Sequence, residues 1–350
     1  MKKEHILVIR FSAMGDVAMT VPVVYSLAMQ YPDVRITVLS RKFARPFFEN
    51  LAPNVDFMEA DLKGEYRGVK GLNALYRRLS AKKFTKVADL HNVLRSDYLR
   101  MRFNLSHYRV EHIRKNRRQR RLLVAKNNKV LQPLPTPFER YAEVFAKLGY
   151  PLKLEFRSMF PPEGGDLSLL PAAIGQKGDN EQWIGIAPTA AHPGKCYPTD
   201  QMRKVVEQLT KNHPQARLFL FGRGQAEDSL FAEWCAAFPQ CVHVSCHLED
   251  LRQELILMSH LNVMLSMDSS NMHLASLVDT PVVSVWGATH PYAGFMGWRQ
   301  SAENAIQAEL DCRPCSIYGN RPCHRGDMAC MNRITPGQII EKVERIICNS

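Results

Sequence analysis

The chain has no long hydrophobic run. Its longest nearly apolar stretch, Val17 to Met29, contains Pro22 and is shorter than the ~20 residues a membrane-spanning helix needs. The apolar run near the start, Ile6 to Ile9, ends at Arg10. A secretory signal needs a core of about 7–15 apolar residues, so a cytoplasmic protein is expected. Low-complexity tracts and short-period repeats are also missing. With 45% hydrophobic and 23% charged residues, the composition excludes a disordered chain, a collagen-like chain and a coiled coil. At 350 residues the chain suits two domains better than one.

Acid is scarce. Lys and Arg total 46 against 34 Asp and Glu, a net charge of +12. Between Arg100 and Lys129 stand eleven basic residues and one acid, Glu111, so nearly all the excess sits in one stretch. Nucleic-acid binders more often spread their charge over a face built from several elements, and no aromatic–basic stacking platform accompanies this one. A concentrated patch points to a local anionic partner: phosphate, carboxylate or a negatively charged membrane surface. No nucleic acid is expected. The nine cysteines are an odd number, unsuited to a secreted disulfide framework.

What is present reads as two αβ halves. Ile6 to Ile9 and Val34 to Leu39 are near-continuous apolar strands, with a helical pattern from Val17 towards Gln30 between them. Lys86 to Leu90 is a later strand, and a helix from Phe138 to Leu148 stops at Gly149. Such alternation means βαβ units and a parallel sheet. Residues 161–181 are rich in Pro and Gly and form a linker. The alternation then restarts with strands Trp183 to Ala187, Leu218 to Gly222, Leu261 to Met267 and Val282 to Trp286, and a helix from Thr199 to Lys211. The expected domains are residues 1–160, the linker 161–181, and residues 182–350 with a Cys-rich tail and a C-terminal helix.

Two loops carry candidate chemistry. Phe11 to Val17 joins the first strand to a helix, the place where open α/β sheets bind ligands. Asp16 there is either a helix-terminal carboxylate stabilised by the dipole or a base held ionised by the helix amides. In the second half, Asp268-Ser269-Ser270-Asn271-Met272-His273 follows a strand and opens a helix. Capping by Asp268 or Ser269 explains one residue of that run; hydroxyls and amides at a helix start suit a diphosphate and explain more of it.

Six motifs in order resemble glycosyltransferase family 9, the ADP-heptose:lipopolysaccharide heptosyltransferases. They are Arg10 to Asp16; Asp89 to Ser96; Glu139-Arg140-Tyr141 before Leu148-Gly149; Ala187-Pro188-Thr189 with Lys195; Phe221-Gly222 with Glu227; and Asp268-Ser269-Ser270 with His273. The resemblance implies an α/β GT-B fold, two Rossmann-like domains whose parallel sheets face each other across a cleft. The acceptor would lie on the first domain and the nucleotide sugar on the second. Asp16 would be the general base of an inverting displacement and Lys195 would neutralise the departing diphosphate. Thr189, Gly222, Glu227, Asp268, Ser269, Ser270 and His273 would complete the donor site, Glu227 accepting from the ribose hydroxyls. Ser12, Met14, Gly15 and Arg95 would contact the acceptor.

The resemblance also gives the basic stretch a use. Six of the eight residues from Arg114 to Arg121 are Arg or Lys. Charge runs are usually solvated faces, but Arg117, Arg118, Arg120 and Arg121 suit the phosphates and carboxylates of a lipid A–Kdo acceptor or an anionic inner leaflet. A peripheral protein at the inner face of the cytoplasmic membrane is therefore expected. The implied donor is ADP-heptose, with another nucleotide sugar or surface-glycan acceptor as the alternative. A non-catalytic nucleotide or nucleic-acid binder is the reading from a different class. Ser269-Ser270 stands where these enzymes usually carry Thr-Gly, and Ala190 to Gly194 also departs from the common form. No cofactor is expected in the chemistry. Cys312, Cys315, Cys323 and Cys330 fit either a structural zinc site or buried free thiols.

Overall fold

The computed structural model describes residues 4–348; residues 1–3 and 349–350, the outer ends of the two expected domains, lie outside the described residues. The chain divides into two units, residues 4–116 with Pro135–Met159, and Arg117–Leu134 with residues 160–348. Two segments fall differently from the sequence expectation: residues 161–181, expected as a linker, are part of the second unit, and so are residues 117–134, tied there by Lys129 to the carbonyls of Asp311 and Arg313.

In the first unit, β1 (His5–Ile9), β2 (Arg35–Ser40), β3 (Val55–Glu59), β4 (Lys86–Asp89) and β5 (Arg109–His112) make one parallel sheet in the order β3-β2-β1-β4-β5. Its helices are α1 (Met14–Ala18), α2 (Val21–Gln30), α3 (Arg45–Phe48), α4 (Gly68–Ser80), α5 (Leu94–Leu105) and, beyond the excursion carrying α6 (Arg117–Leu123) into the second unit, α7 (Pro137–Lys147). Leu7, Ile9 and Leu39 pack with Leu72, Leu75 and Leu79 of α4 and with Leu99 and Phe103 of α5 in one core.

The helix expected from Val17 to Gln30 is two helices. Pro22 has no amide hydrogen and is tolerated only in a first turn, so α1 closes at Ala18 and α2 restarts with Pro22 in its first turn.

In the second unit, β6 (Trp183–Ala187), β7 (Arg217–Leu220), β8 (Cys241–His243), β9 (Val263–Met267), β10 (Val282–Trp286) and β11 (Ala305–Gln307) form a parallel sheet in the order β11-β10-β9-β6-β7-β8. The helices are α8 (Thr199–Asn212), α9 (Gln225–Ala237), α10 (Leu251–Met258), α11 (Ser270–Leu277), α12 (Ala329–Asn332) and α13 (Pro336–Ile347). Met202, Val205 and Leu209 of α8, Phe231 and Trp234 of α9, and Ile339, Val343 and Ile347 of α13 fill one core against the sheet. Helix α13 begins with a reciprocal cap between Thr335 and Gln338. No helix among the described residues is long and apolar enough to cross a membrane.

Candidate functional site

In the first unit the candidate residues gather at the carboxyl edge of β1 and β4, which pair Ile9 with Asp89. Asp16, in α1, makes an ion pair with Arg10 at 2.6 Å, and the amide of Ala13 donates to the same carboxylate oxygen at 3.4 Å. A backbone amide at the start of α1 thus contacts this carboxylate, as the sequence reading allows, and Arg10, the residue that ends the first apolar run, adds a shorter contact. Arg10 is 6% exposed and its other arm donates to the Leu90 carbonyl at 2.8 Å. Burial opposes the charge on Arg10, but Tyr141 and Asp16 outweigh it and raise the guanidinium. Tyr141 also donates from its hydroxyl to the Asp16 carbonyl at 3.3 Å, which gives the Glu139-Arg140-Tyr141 motif its purpose: α7 steadies the Asp16 turn.

The Asp89 to Ser96 motif does similar work from β4. Asp89 is fully buried and accepts the amides of His91 and Asn92 at 2.9 Å each, with Arg100 at 3.3 Å. Those contacts hold the turn that places His91 beside the Phe11 amide, 3.5 Å away. Burial, then Arg10 and Lys115, push the His91 imidazole down to about 3, so it is neutral at physiological pH. Ser12 and Met14 are half-buried and Gly15 is buried on the same loop, while Arg95 is exposed in the first turn of α5.

A cavity of about 590 Å³ elsewhere in this unit shares no residue with the Asp16 loop. Its charges are matched within its own walls, as in the Arg35–Asp56 pair at 2.6 Å, and it offers no excess charge to a ligand.

The donor candidates meet at the carboxyl edge of β9, β6 and β7, adjacent strands in the second sheet. Lys195, in a single turn of 3₁₀ helix after β6, pairs with Asp268 at 2.9 Å, and the two side chains are 16% and 3% exposed. Asp268 follows β9 directly, and Ser269 is the residue that caps α11. Its hydroxyl does not cap the helix but lies 3.2 Å from that of Ser266. Of the two readings of this run, simple side-chain capping by Ser269 is not made, and Asp268 is turned to Lys195. His273 is buried one turn inside α11. Thr189 donates to Glu227 at 3.2 Å. A Cβ on Gly222 would sit 3.2 Å from the Glu227 side chain and 3.0 Å from Phe231, so glycine there lets α9 start close against the sheet edge.

Residues absent from the sequence reading support Lys195. Gly319 lies with φ +75° against the lysine stem: a Cβ there would be 2.6 Å from Lys195 Cγ. The Gly319 carbonyl accepts the Gly194 amide at 3.2 Å, and the Gly194 carbonyl accepts the Ala288 amide at 2.8 Å. Arg313, 5% exposed, donates to the carbonyls of Gly287, Trp286, Thr289 and Ala308 at 2.6–3.0 Å. The Cys-rich tail is thus folded around Arg313 and backs the segment that carries Lys195. The only local signal was a glycine and an arginine among cysteines, too common to single out.

All nine cysteines are free thiols. Burial raises Cys315 and pushes Cys330 up to about 11. Among the described residues no group of three or more His, Cys, Asp or Glu side chains is arranged to hold a metal ion.

Arg117, Arg118, Arg120 and Arg121 lie on α6, in the second unit rather than the first, where the sequence reading had put them. Arg120 donates to the Tyr318 hydroxyl at 2.7 Å and covers the Phe295 ring at 5.4 Å. Arg117, Arg118 and Arg121 are exposed.

Two Rossmann-like units in series, each presenting its polar residues at the carboxyl edge of a parallel sheet, define the GT-B class of glycosyltransferase folds. The family model described as "Glycosyltransferase family 9 (heptosyltransferase)" matches residues 72–323. The chain belongs to that family. It is 24% identical over 318 residues to lipopolysaccharide heptosyltransferase 3 of Escherichia coli, covering 84% of this chain and 85% of that protein. Among solved structures, a glycosyl transferase family 9 protein from Veillonella parvula DSM 2008 superposes with a TM-score of 0.75 at 19% identity, covering 100% of this chain and 99% of that one. E. coli ADP-heptose lps heptosyltransferase II gives 0.70 at 19% identity, with 99% of each chain covered.

Proposed function

We propose that this chain is an inverting glycosyltransferase that moves a heptose from ADP-heptose onto the Kdo/heptose inner core of lipopolysaccharide, with no metal ion in the chemistry. The observation that carries the reading is the Lys195–Asp268 pair at the start of α11. A nearly buried ammonium beside free helix amides suits a diphosphate leaving group. Asp268 is already committed to that lysine, and Leu261 to Leu277 contains no other acid, whereas a magnesium site would present carboxylates to the ion. Thr189 and Glu227 supply the hydroxyl and carboxylate for the nucleoside ribose.

Asp16 is the base that takes the proton from the acceptor hydroxyl as it attacks the anomeric carbon opposite the departing ADP. Arg10 holds the carboxylate oriented, and neutral His91 adds no second cation beside it. Ser12, Met14, Gly15 and Arg95 border the acceptor, and the exposed Arg117, Arg118 and Arg121 offer cations to its acidic groups. A lipid-borne acceptor sets the enzyme at the inner face of the cytoplasmic membrane. The departures at Ser269-Ser270 and Ala190 to Gly194 favour, as second reading, a different nucleotide sugar in the same site.

A panel of nucleotide sugars separates the two. ADP-heptose should raise the melting temperature most, since a ligand at many times its dissociation constant stabilises by a few kcal/mol, and should support transfer in EDTA. Stabilisation by another nucleotide sugar alone would replace the donor. Activity lost at once in EDTA and restored by magnesium would overturn the metal-free chemistry.

A further inference from the structure

Helix α5 is apolar on two sides. Leu99 and Phe103 face the core at 0% exposure, yet Leu94, Met101 and Leu105 stand out at 88%, 49% and 71%. At about 100° per residue these three fall on one stripe roughly 40° wide, while Tyr98 beside them is half-buried against the core. Helix α4 lies alongside: Arg102 donates to the Asn73 side chain, and the Tyr76 ring stands 5.1 Å from that of Phe103. One turn before Asn73, Val69 is 66% exposed. Single exposed apolar residues are ordinary, but three aligned on one side of α5, with a fourth on the helix packed beside it, mark an interaction surface.

The charge around the stripe identifies the partner. Lys70 and Arg77 are exposed on α4, and Arg95 on α5, with Arg102 half-buried beside them. Helix α4 contains no acid; α5 contains only Asp97, held by Arg100 at 2.7 Å. Apolar side chains flanked by uncompensated cations suit an acidic lipid surface, the apolar groups entering the acyl boundary while the cations meet headgroup phosphates. We propose that the outer face of α4 and α5 docks the first unit onto an anionic lipid bilayer. Leu94 begins α5 just beyond β4, at the sheet edge that carries Asp16, so the face extends from the acceptor side of the unit. The inference deepens the proposed function, resting on its lipid-borne acceptor, and moves the docking site from the arginines of α6 to α4 and α5.

Co-sedimentation with phosphatidylcholine vesicles, with and without phosphatidylglycerol, tests it without donor or acceptor. The full chain should bind only vesicles containing phosphatidylglycerol, and less tightly as salt rises. L94Q/L105Q should weaken binding about tenfold or more. K70Q/R77Q should cost roughly fivefold per charge, and R117Q/R118Q/R121Q should leave binding unchanged. The leucines are exposed, so L94Q/L105Q should keep the wild-type melting temperature and transfer to a water-soluble acceptor. Equal binding by L94Q/L105Q, or loss only in the α6 variant, overturns the assignment. Sedimentation velocity showing a dimer that L94Q/L105Q dissociates, without vesicle binding, would make the stripe a self-association face instead. Vesicle binding without heptosyl transfer would keep the docking face and remove the proposed function; transfer to soluble acceptor without vesicle binding would do the reverse.

Discussion

Gly319→Ala tests whether the Cys-rich tail positions Lys195. The added Cβ would lie 2.6 Å from Cγ and 3.3 Å from both Cδ and Cε of the lysine. Carbon atoms prefer about 3.5–4.0 Å, so the stem must withdraw by roughly 1 Å or the tail must lift from it. The φ of +75° adds a backbone cost of about 1–2 kcal/mol for any residue with a Cβ. Overpacking adds about 1–3 kcal/mol. The protein should therefore unfold earlier in urea. ADP affinity should also fall, because in the proposed donor site the ammonium would be displaced from the diphosphate. Losing one charge-assisted contact is worth about 1.5–3 kcal/mol, or roughly 10–150-fold in affinity. Displacement costs less than deletion, so about tenfold is expected for Gly319→Ala, with Lys195→Ala setting the ceiling. Calorimetric titration of ADP into wild type, each single variant and the double variant checks the route. If Gly319 acts through the lysine, its substitution changes nothing further in the Lys195→Ala background. Wild-type ADP affinity in Gly319→Ala, or fully additive losses in the double variant, would refute the reasoning.

Asp16→Asn keeps the side-chain shape but removes the proposed base, so turnover should drop by about 10²–10⁴ with ADP binding retained. Near-normal single-turnover rates would remove Asp16 from the mechanism. The His91 imidazole is held down to about 3 by burial first and by Arg10 and Lys115 next, so the folded state binds fewer protons there than the unfolded chain, whose His titrates near 6.5. Its contribution to stability is complete above about pH 6.5 and is lost as pH falls towards 3, by at most about 1.4 kcal/mol per pH unit. Urea titrations at pH 6.5 and pH 5 should show His91→Gln losing about 1.6 kcal/mol less than wild type between them; identical losses would mean that His91 is not buried neutral.

The central strands are legible in the sequence because they are buried on both faces. β1, β6, β9 and β10 are buried at every position, and each is written as an apolar run. β3, β5, β8 and β11 went unread. All four are edge strands; an edge is partly open to water, and strands such as Arg109–His112 and Val55–Glu59 mix charge with apolar residues. Their place depends on a neighbour supplied by distant sequence. The order of the six motifs likewise sufficed for the family, since βα loops meet at the carboxyl edge of any parallel sheet.

Other features were decided only by tertiary structure. The local pattern of Arg114 to Arg121 describes a charged helix but not its host, which is set by Lys129 on the tail carbonyls and Arg120 on Tyr318, nearly 200 residues away in sequence. Gly319 against Lys195, and Arg313 among the carbonyls around Gly287, are contacts of the same kind. Periodicity reports which face of an element seeks a core; it carries no information about which remote backbone groups a buried cation or a glycine will meet, because those partners are chosen by the packing of the whole chain.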